Sequence, residues 1–412
     1  MNKRSFLGAV GGASLGLMLG HKLLAQPAAA AASDEAFWSD VRAQFRLTGD
    51  YINFENGYYC FQPQPVLEAF VSNVRAVNLE ASHYMRTRAA EDKERIAAKL
   101  AAFAGCAAGE LVITRNTTES LDTVISGIDW KPGDEAVMAH QDYGAMIDMF
   151  RLQARRHGMV NRFVDIPLDP RTDEEVVTVY AAALTARTRL LMVPHMVNIT
   201  GHILPVRAIC EAAHARGVPV MVDGAHALAH LDYRIADLDC DYYGASLHKW
   251  LAAPLGAGIL YVRRERIPAL WPIYGDDSVP SDDVRKLNHT GTHPVHTDLT
   301  IERALAFHEA IGSARKEARL RYLQRYWSAR VRALRNVVMY TPSDPARSCA
   351  IANVGIRGMV PAELARRLFD EHRIYTVAID GAGVHGVRVT PQIYTSLAEL
   401  DALVDALRRL AA

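Results

Sequence analysis

Three things are scarce in this 412-residue chain, and each scarcity excludes a class of function. Cysteine is the first. Cys60, Cys106, Cys210, Cys240 and Cys349 stand far apart, with no CxxC pair and no Cys/His ligand spacing, so neither a zinc site nor a disulfide framework is expected. They fit small buried hydrophobes instead. An excess of one charge is the second: 46 Lys and Arg balance 46 Asp and Glu, which leaves no nucleic-acid footprint and no polybasic membrane surface. Small molecules are the expected partners. Long apolar runs are the third, since the glycine-rich stretch from Gly8 to Gly20 is too short to span a bilayer and no stable membrane span is expected in the mature chain.

What is present begins with a targeting pattern over residues 1 to about 30. Lys3-Arg4 precede Ser5-Phe6-Leu7, the weakly apolar stretch follows, and small residues run from Ala25 to Ala32. This is similar to a twin-arginine export signal, with Lys3 in place of the first arginine, and implies a periplasmic destination. A general secretory signal and an uncleaved tether are the rival readings.

Half of the residues are hydrophobic, enough for a large core and two domains. Helical patterns at roughly 66–78, 89–104, 118–128, 144–157, 173–186 and 206–216 alternate with apolar runs at 111–114, 135–139, 190–194, 218–222, 242–245 and 258–262. That rhythm predicts an α/β fold around a mostly parallel sheet, with its ligand site at the strand carboxyl ends. A long helical pattern from about Thr300 to Asn336 leads into a smaller C-terminal α+β unit with a strand near 350–356, a helix at 361–372, a strand at 387–390 and a last helix from about 396. The expected division is an N-terminal segment over 34–64, a large domain over 65–315 and a small one over 316–412.

Two residues carry the chemistry. Asp223 ends the apolar run Val220-Met221-Val222, and Lys249 follows it by 26 positions in Ser246-Leu247-His248-Lys249-Trp250. Taken singly, the first is an ordinary turn residue and the second a surface charge. Lys249 adjoins an apolar, glycine-broken run from Leu251 to Val262, however, and burial there favours the neutral amine that attacks an aldehyde. Pyridoxal 5′-phosphate needs such a lysine to hold its aldehyde as a Schiff base. It also needs an Asp to keep its pyridine nitrogen protonated. A cofactor made in the cytosol is most easily exported inside a protein already folded around it, which agrees with the N-terminal pattern.

Other positions join that pair. Thr114-Arg115-Asn116-Thr117-Thr118-Glu119-Ser120 lies between a strand and a helix, where backbone N–H groups and the positive helix end can hold a phosphate, although a plain Thr cap fits too. Tyr143, after Gln141-Asp142, can lay its ring on the pyridine face. Asn198 can donate to the cofactor's phenolate oxygen, or simply form the turn before Gly201. His226 can face the same oxygen.

Asp223-Gly224-Ala225-His226, Ser246-Leu247-His248-Lys249, Asn116-Thr117-Thr118-Glu119 and the stretch from Asn198 to Pro205, in this order, resemble the class V aminotransferases of fold type I, from about residue 50 to 412. The resemblance implies Lys249 as the Schiff-base lysine, Asp223 as the pyridinium partner, Thr117, Thr118, Ser246 and His248 near the phosphate, and Tyr143 at the stacking position. It implies that Gly291-Thr292 reaches the phosphate of a neighbouring subunit, hence a homodimer, and that Arg388 grips the substrate carboxylate as a bidentate guanidinium.

Cysteine desulfurases of that superfamily carry a nucleophilic cysteine shortly before this arginine. The loop from Ala378 to His385 has none here, which argues against persulfide chemistry. The run Tyr143-Gly144-Ala145 is closer to the isopenicillin N epimerase-like branch, which includes exported enzymes that tailor peptide siderophores such as pyoverdine. Amino-group transfer at the α-carbon of an amino acid or amino-acid-containing peptide is the expected reaction. It needs one base, Lys249. Epimerisation needs a second on the opposite ring face, for which Tyr58, Tyr59, His83 and Tyr84 are candidates. Decarboxylation, C–S or β-elimination, and a non-catalytic scaffold are the further alternatives.

Overall fold

A computed structural model describes residues 32–412, and the targeting segment expected over 1 to about 30 lies outside them. Seven strands form the central sheet in the order β2-β8-β7-β6-β5-β3-β4. They are β2 (Leu111–Thr114), β3 (Glu135–Ala139), β4 (Val160–Val164), β5 (Thr188–Pro194), β6 (Val220–Asp223), β7 (Tyr242–Ser246) and β8 (Gly258–Val262). Only β8 opposes its neighbours; β7, β6, β5, β3 and β4 pair in parallel.

A parallel sheet covered by helices must bury both faces, which is why these strands read as unbroken apolar runs rather than alternating ones. Val137, Leu191, Val193, Val220 and Val222 enter the core on one side, and Ala136, Met138, Leu190, Met192 and Met221 enter it on the other. The α/β class with a mostly parallel sheet therefore stands.

β4 has no counterpart among the expected strands. Its sequence, Val160-Asn161-Arg162-Phe163-Val164, is half polar, and it forms as a partly exposed edge by full pairing with β3.

The C-terminal part holds an antiparallel sheet in the order β12-β13-β10-β9, built from β9 (Val337–Met339), β10 (Ala352–Ile356), β12 (Val377–Gly381) and β13 (Val384–Val389). Helices Pro361–His372 and Leu397–Leu410 close a separate core around Leu323, Trp327, Val354, Val387, Leu403 and Leu407. The single long helix expected over 300–336 is two, Val295–Ile311 and Ser313–Arg332, because Gly312 takes a positive φ of 89° between them.

The N-terminal segment is tied to this smaller unit. β1 (Ile52–Asn53) pairs in parallel with β11 (Ile374–Tyr375), and Arg42 binds both oxygens of Glu399 at 2.7 and 2.8 Å. The segment then crosses to the central sheet, where the Cys60 N–H donates to the His248 carbonyl at 3.3 Å.

Cys60, Cys210, Cys240 and Cys349 are buried free thiols and Cys106 is partly covered. Burial pushes the Cys60 thiol up to about 11. No helix among the described residues is long and apolar enough to cross a membrane.

Candidate active site

The carboxyl ends of β5, β6 and β7 and the first turn of helix Thr117–Gly127 enclose a cavity of about 280 Å³. Ten of the eleven expected site residues line it: Thr117, Thr118, Tyr143, Asn198, Asp223, His226, Ser246, His248, Lys249 and Arg388. Thr292 is the exception. It is exposed in the loop before helix Val295–Ile311, outside the cavity of its own chain.

One end of the cavity suits an anion. Asn116 caps helix Thr117–Gly127 by accepting from the Glu119 N–H at 2.9 Å, as an N-cap should. The Thr117 N–H donates to Ser246 Oγ at 2.9 Å, and the two hydroxyls are 2.7 Å apart. The helix's positive end and three hydroxyls, those of Thr117, Thr118 and Ser246, thus meet where a phosphate would lie.

At the centre, β6 ends on Asp223, which pairs in register with Gly244 of β7. The Ala225 N–H donates to Asp223 Oδ1 at 2.9 Å, leaving the second oxygen for a donor in the cavity. Burial raises the carboxyl, while the Ala225 N–H and Lys249 lower it. A cationic ring nitrogen in the cavity would offset that burial, so the residue type fits a protonated pyridine. Tyr143, 46% exposed, has its ring at the cavity wall.

Lys249 Nζ lies 3.3 Å from His226 Nε2, and the Trp250 indole N–H donates to His226 Nδ1 at 3.4 Å. With Nδ1 accepting, the ring's proton sits on Nε2 and points at Lys249, which must then accept it as a neutral amine. Electrostatics agree. Burial lowers Lys249 to about 8, with Asp223 raising it, Arg388 lowering it and Glu55 raising it. Burial also holds His226 well below its usual range, so it stays neutral. Apoprotein should accordingly capture added pyridoxal phosphate faster as pH rises through about 8 and level off above it, as stopped-flow absorbance would record. A rate independent of pH between 7 and 9 would remove the neutral amine from this account.

The opposite end carries an arginine that is already well held. Arg388 Nη1 donates to the Asn198 carbonyl at 3.2 Å, and Nη2 and Nε donate to Glu55 at 2.6 and 3.3 Å. Gly57 lies flat on the guanidinium; a Cβ there would come within 3.1 Å of Arg388 Cζ. Asn198 is fixed by a turn that closes on Gly201, whose positive φ of 77° and contact with the Ile351 carbonyl leave no room for a side chain. Asn198, a lining residue of the cavity, therefore also contributes its carbonyl to Arg388.

The proposed second bases separate. Tyr58, 73% exposed, lines the cavity. Tyr59 accepts from Gln62 at 2.7 Å, exposed His83 faces Glu80, and buried Tyr84 donates to Asp92 at 3.0 Å.

Three supporting residues escaped the sequence reading. Glu55 has no local pattern. His230 stacks on Trp250 with centroids 3.7 Å apart, donates to the His226 carbonyl at 2.7 Å and accepts from the Ala350 N–H at 3.0 Å. Lys316, fully buried, donates to the Trp250 carbonyl and so anchors the turn that carries Lys249. A signal existed for Lys316: it shares a helical stripe with Leu320, Leu323 and Trp327, the wrong place for a surface lysine.

The family model for aminotransferase class V matches residues 61–403. The chain is similar to the isopenicillin N epimerase of Amycolatopsis lactamdurans, 29% identical over 392 residues that cover 90% of this chain and 98% of that one. It is also similar to the cysteine desulfurase of Dickeya dadantii, 34% identical over 197 residues, 47% of each chain. Among solved structures, the apo cysteine desulfurase from Thermococcus onnurineus NA1 matches with a TM-score of 0.80 at 23% identity, over 90% of this chain and 97% of that one. At that identity the likeness speaks for the fold.

Proposed function

The chain belongs to the aminotransferase class-V family, and from that membership we propose that it transfers the amino group at the α-carbon of an amino acid or of an amino-acid-containing peptide. Its cofactor is pyridoxal 5′-phosphate. When bound, that group supplies an aldehyde for an amine and a ring that takes up the electron pair left at the α-carbon.

The observation that carries the reading is the contact between Lys249 Nζ and His226 Nε2 inside a cavity that also presents Asp223 and Arg388. Thr117, Thr118 and Ser246 hold the phosphate end, Asp223 keeps a proton on the ring nitrogen, and Arg388 orients the substrate through its carboxylate. Lys249, whose amine burial lowers to about 8, would take the α-proton and deliver it along the same face of the ring to the former aldehyde carbon. Transfer needs only this base.

Persulfide chemistry is disfavoured by the β12–β13 hairpin before Arg388, which turns at Ala382-Gly383 without a cysteine. Cys349 is no substitute: it is buried, and burial pushes its thiol far up. Epimerisation is the second reading, favoured by Tyr58 at the cavity wall and by the similarity to isopenicillin N epimerase.

Product analysis separates the two. Holoenzyme incubated with amino-acid and peptide panels plus 2-oxo acids should yield a new amino acid. A change of configuration with no acceptor consumed would support epimerisation instead.

Asp223→Ala should retain some cofactor yet lose roughly 10²–10³ in turnover, the scale of removing one preorganised electrostatic partner. Unchanged turnover would rule out its role at the ring nitrogen.

A homodimer is part of the proposal. Exposed Thr292 would meet the phosphate end of a second copy. Sedimentation at micromolar concentration should give twice the chain mass; a monomer that binds cofactor fully would remove Thr292 from the site.

A further inference from the structure

Arg388 is not a free cation waiting for a carboxylate. It already holds one. The side chains of Arg388 and Glu55 are only 9% and 8% exposed, and Glu55 takes the Nη2 and Nε donors of the guanidinium while also accepting from the Tyr58 N–H at 2.9 Å. Arg388, Asn198, Gly57 and Tyr58 line the cavity but Glu55 does not, so the acid sits behind the arginine and not between it and a substrate.

We propose that Glu55 is a positioning and specificity residue: it grips Arg388 by its Nε/Nη2 edge, presents the remaining Nη1/Nη2 edge to the cavity, and holds the carboxylate subsite at zero net charge before substrate arrives. The proposal rests on the reading that Arg388 receives the substrate carboxylate.

Its consequence is graded selectivity. A lone buried guanidinium would strongly prefer an anion, whereas the neutral pair prefers one less and relies more on hydrogen-bond geometry. A substrate carboxylate then enters a subsite whose basic charge is already answered, and its grip depends on the fork being correctly aimed. Gly57 and the Asn198 carbonyl complete that aim from the other two sides.

Two small reagents test this on the holoenzyme. Aminooxyacetate and methoxyamine both displace Lys249 from the cofactor, and the loss of the lysine-linked absorbance gives a second-order rate constant for each. Only the first carries a carboxylate. The ratio of the two rates therefore reports carboxylate recognition and divides out changes in the reactivity of the lysine linkage.

In Glu55→Gln the ratio should rise about tenfold, because the counter-charge is gone while an acceptor remains for the Arg388 and Tyr58 donors. Glu55→Ala should move it the same way, and Glu55→Asp, which keeps the charge, should leave it within about threefold of the parent. Arg388→Ala should lower it. A lowered ratio in Arg388→Ala beside an unmoved or lowered ratio in both neutral Glu55 variants would overturn the role of Glu55 alone. A ratio unmoved in Arg388→Ala would instead defeat the reading of Arg388 on which the proposal stands.

Discussion

Lys249→Ala should leave a folded protein that still takes up pyridoxal phosphate, while turnover falls by about 10⁴, the upper range for loss of a positioned acid/base group. The fold should survive because Lys249 lies at the cavity wall and its side chain packs no core: its neighbours Leu247 and Trp250 do that. The proposed phosphate contacts from Thr117, Thr118 and Ser246 would remain, and the amine proposed to join the aldehyde and carry the α-proton would be gone. Borohydride should then fail to fix the cofactor to the chain, as intact-mass measurement would read directly. Mass still added after reduction would place the covalent handle on another lysine, with buried Lys316 the first to examine.

Arg388→Ala should cost about 2 to 4 kcal/mol of transition-state binding, or roughly two to three powers of ten in kcat/KM, with the absorbance of bound cofactor unchanged. Arg388→Lys should recover little, since an ammonium cannot reproduce a planar fork that already serves Glu55 on one edge and the Asn198 carbonyl on another. Removing the guanidinium also leaves Glu55 buried without its partner, which destabilises the small unit. Thermal unfolding of the variant therefore belongs beside the kinetics. A variant that stays folded with near-normal efficiency would show that the carboxylate is read elsewhere. Loss of cofactor instead of substrate affinity would move Arg388 to the phosphate end.

How far the sequence disclosed this depended on range. Helices 89–104 and 144–157 were legible to their last residues because glycines in the left-handed region, Gly105 and Gly158, close them. The central strands were legible because burial on both faces leaves an apolar run that no exposed segment would carry. β4 was not, as its polar residues are tolerated only by pairing with a neighbour. The helical pattern over 300–336 runs on through Gly312, and only that residue's φ of 89° shows the break.

Within the site, Asp223 and Lys249 stand at the ends of adjacent strands and announce themselves. The residues that tune them do not. Glu55 acts through Arg388, Lys316 through the Trp250 carbonyl and His230 through Trp250 and Ala350, partners brought by tertiary packing that no short window of sequence contains. Thr292 is the reverse case: offered by resemblance, yet not among the residues that line the cavity of a single chain.

The strand pairing of the N-terminal segment bears on when this protein becomes able to work. Ile52 and Asn53 wait for Ile374 and Tyr375, and Glu55 waits for Arg388, a separation of 333 residues. During synthesis at about 5–20 residues per second, Ile52, Asn53 and Glu55 therefore stay without these partners until nearly all of the chain has left the ribosome. The central sheet, complete by Val262, can form long before that. Lys249 and Asp223 are thus assembled early, and the arginine corner arrives last. A nascent chain stalled before residue 374 should capture pyridoxal phosphate without yet telling one amine from another.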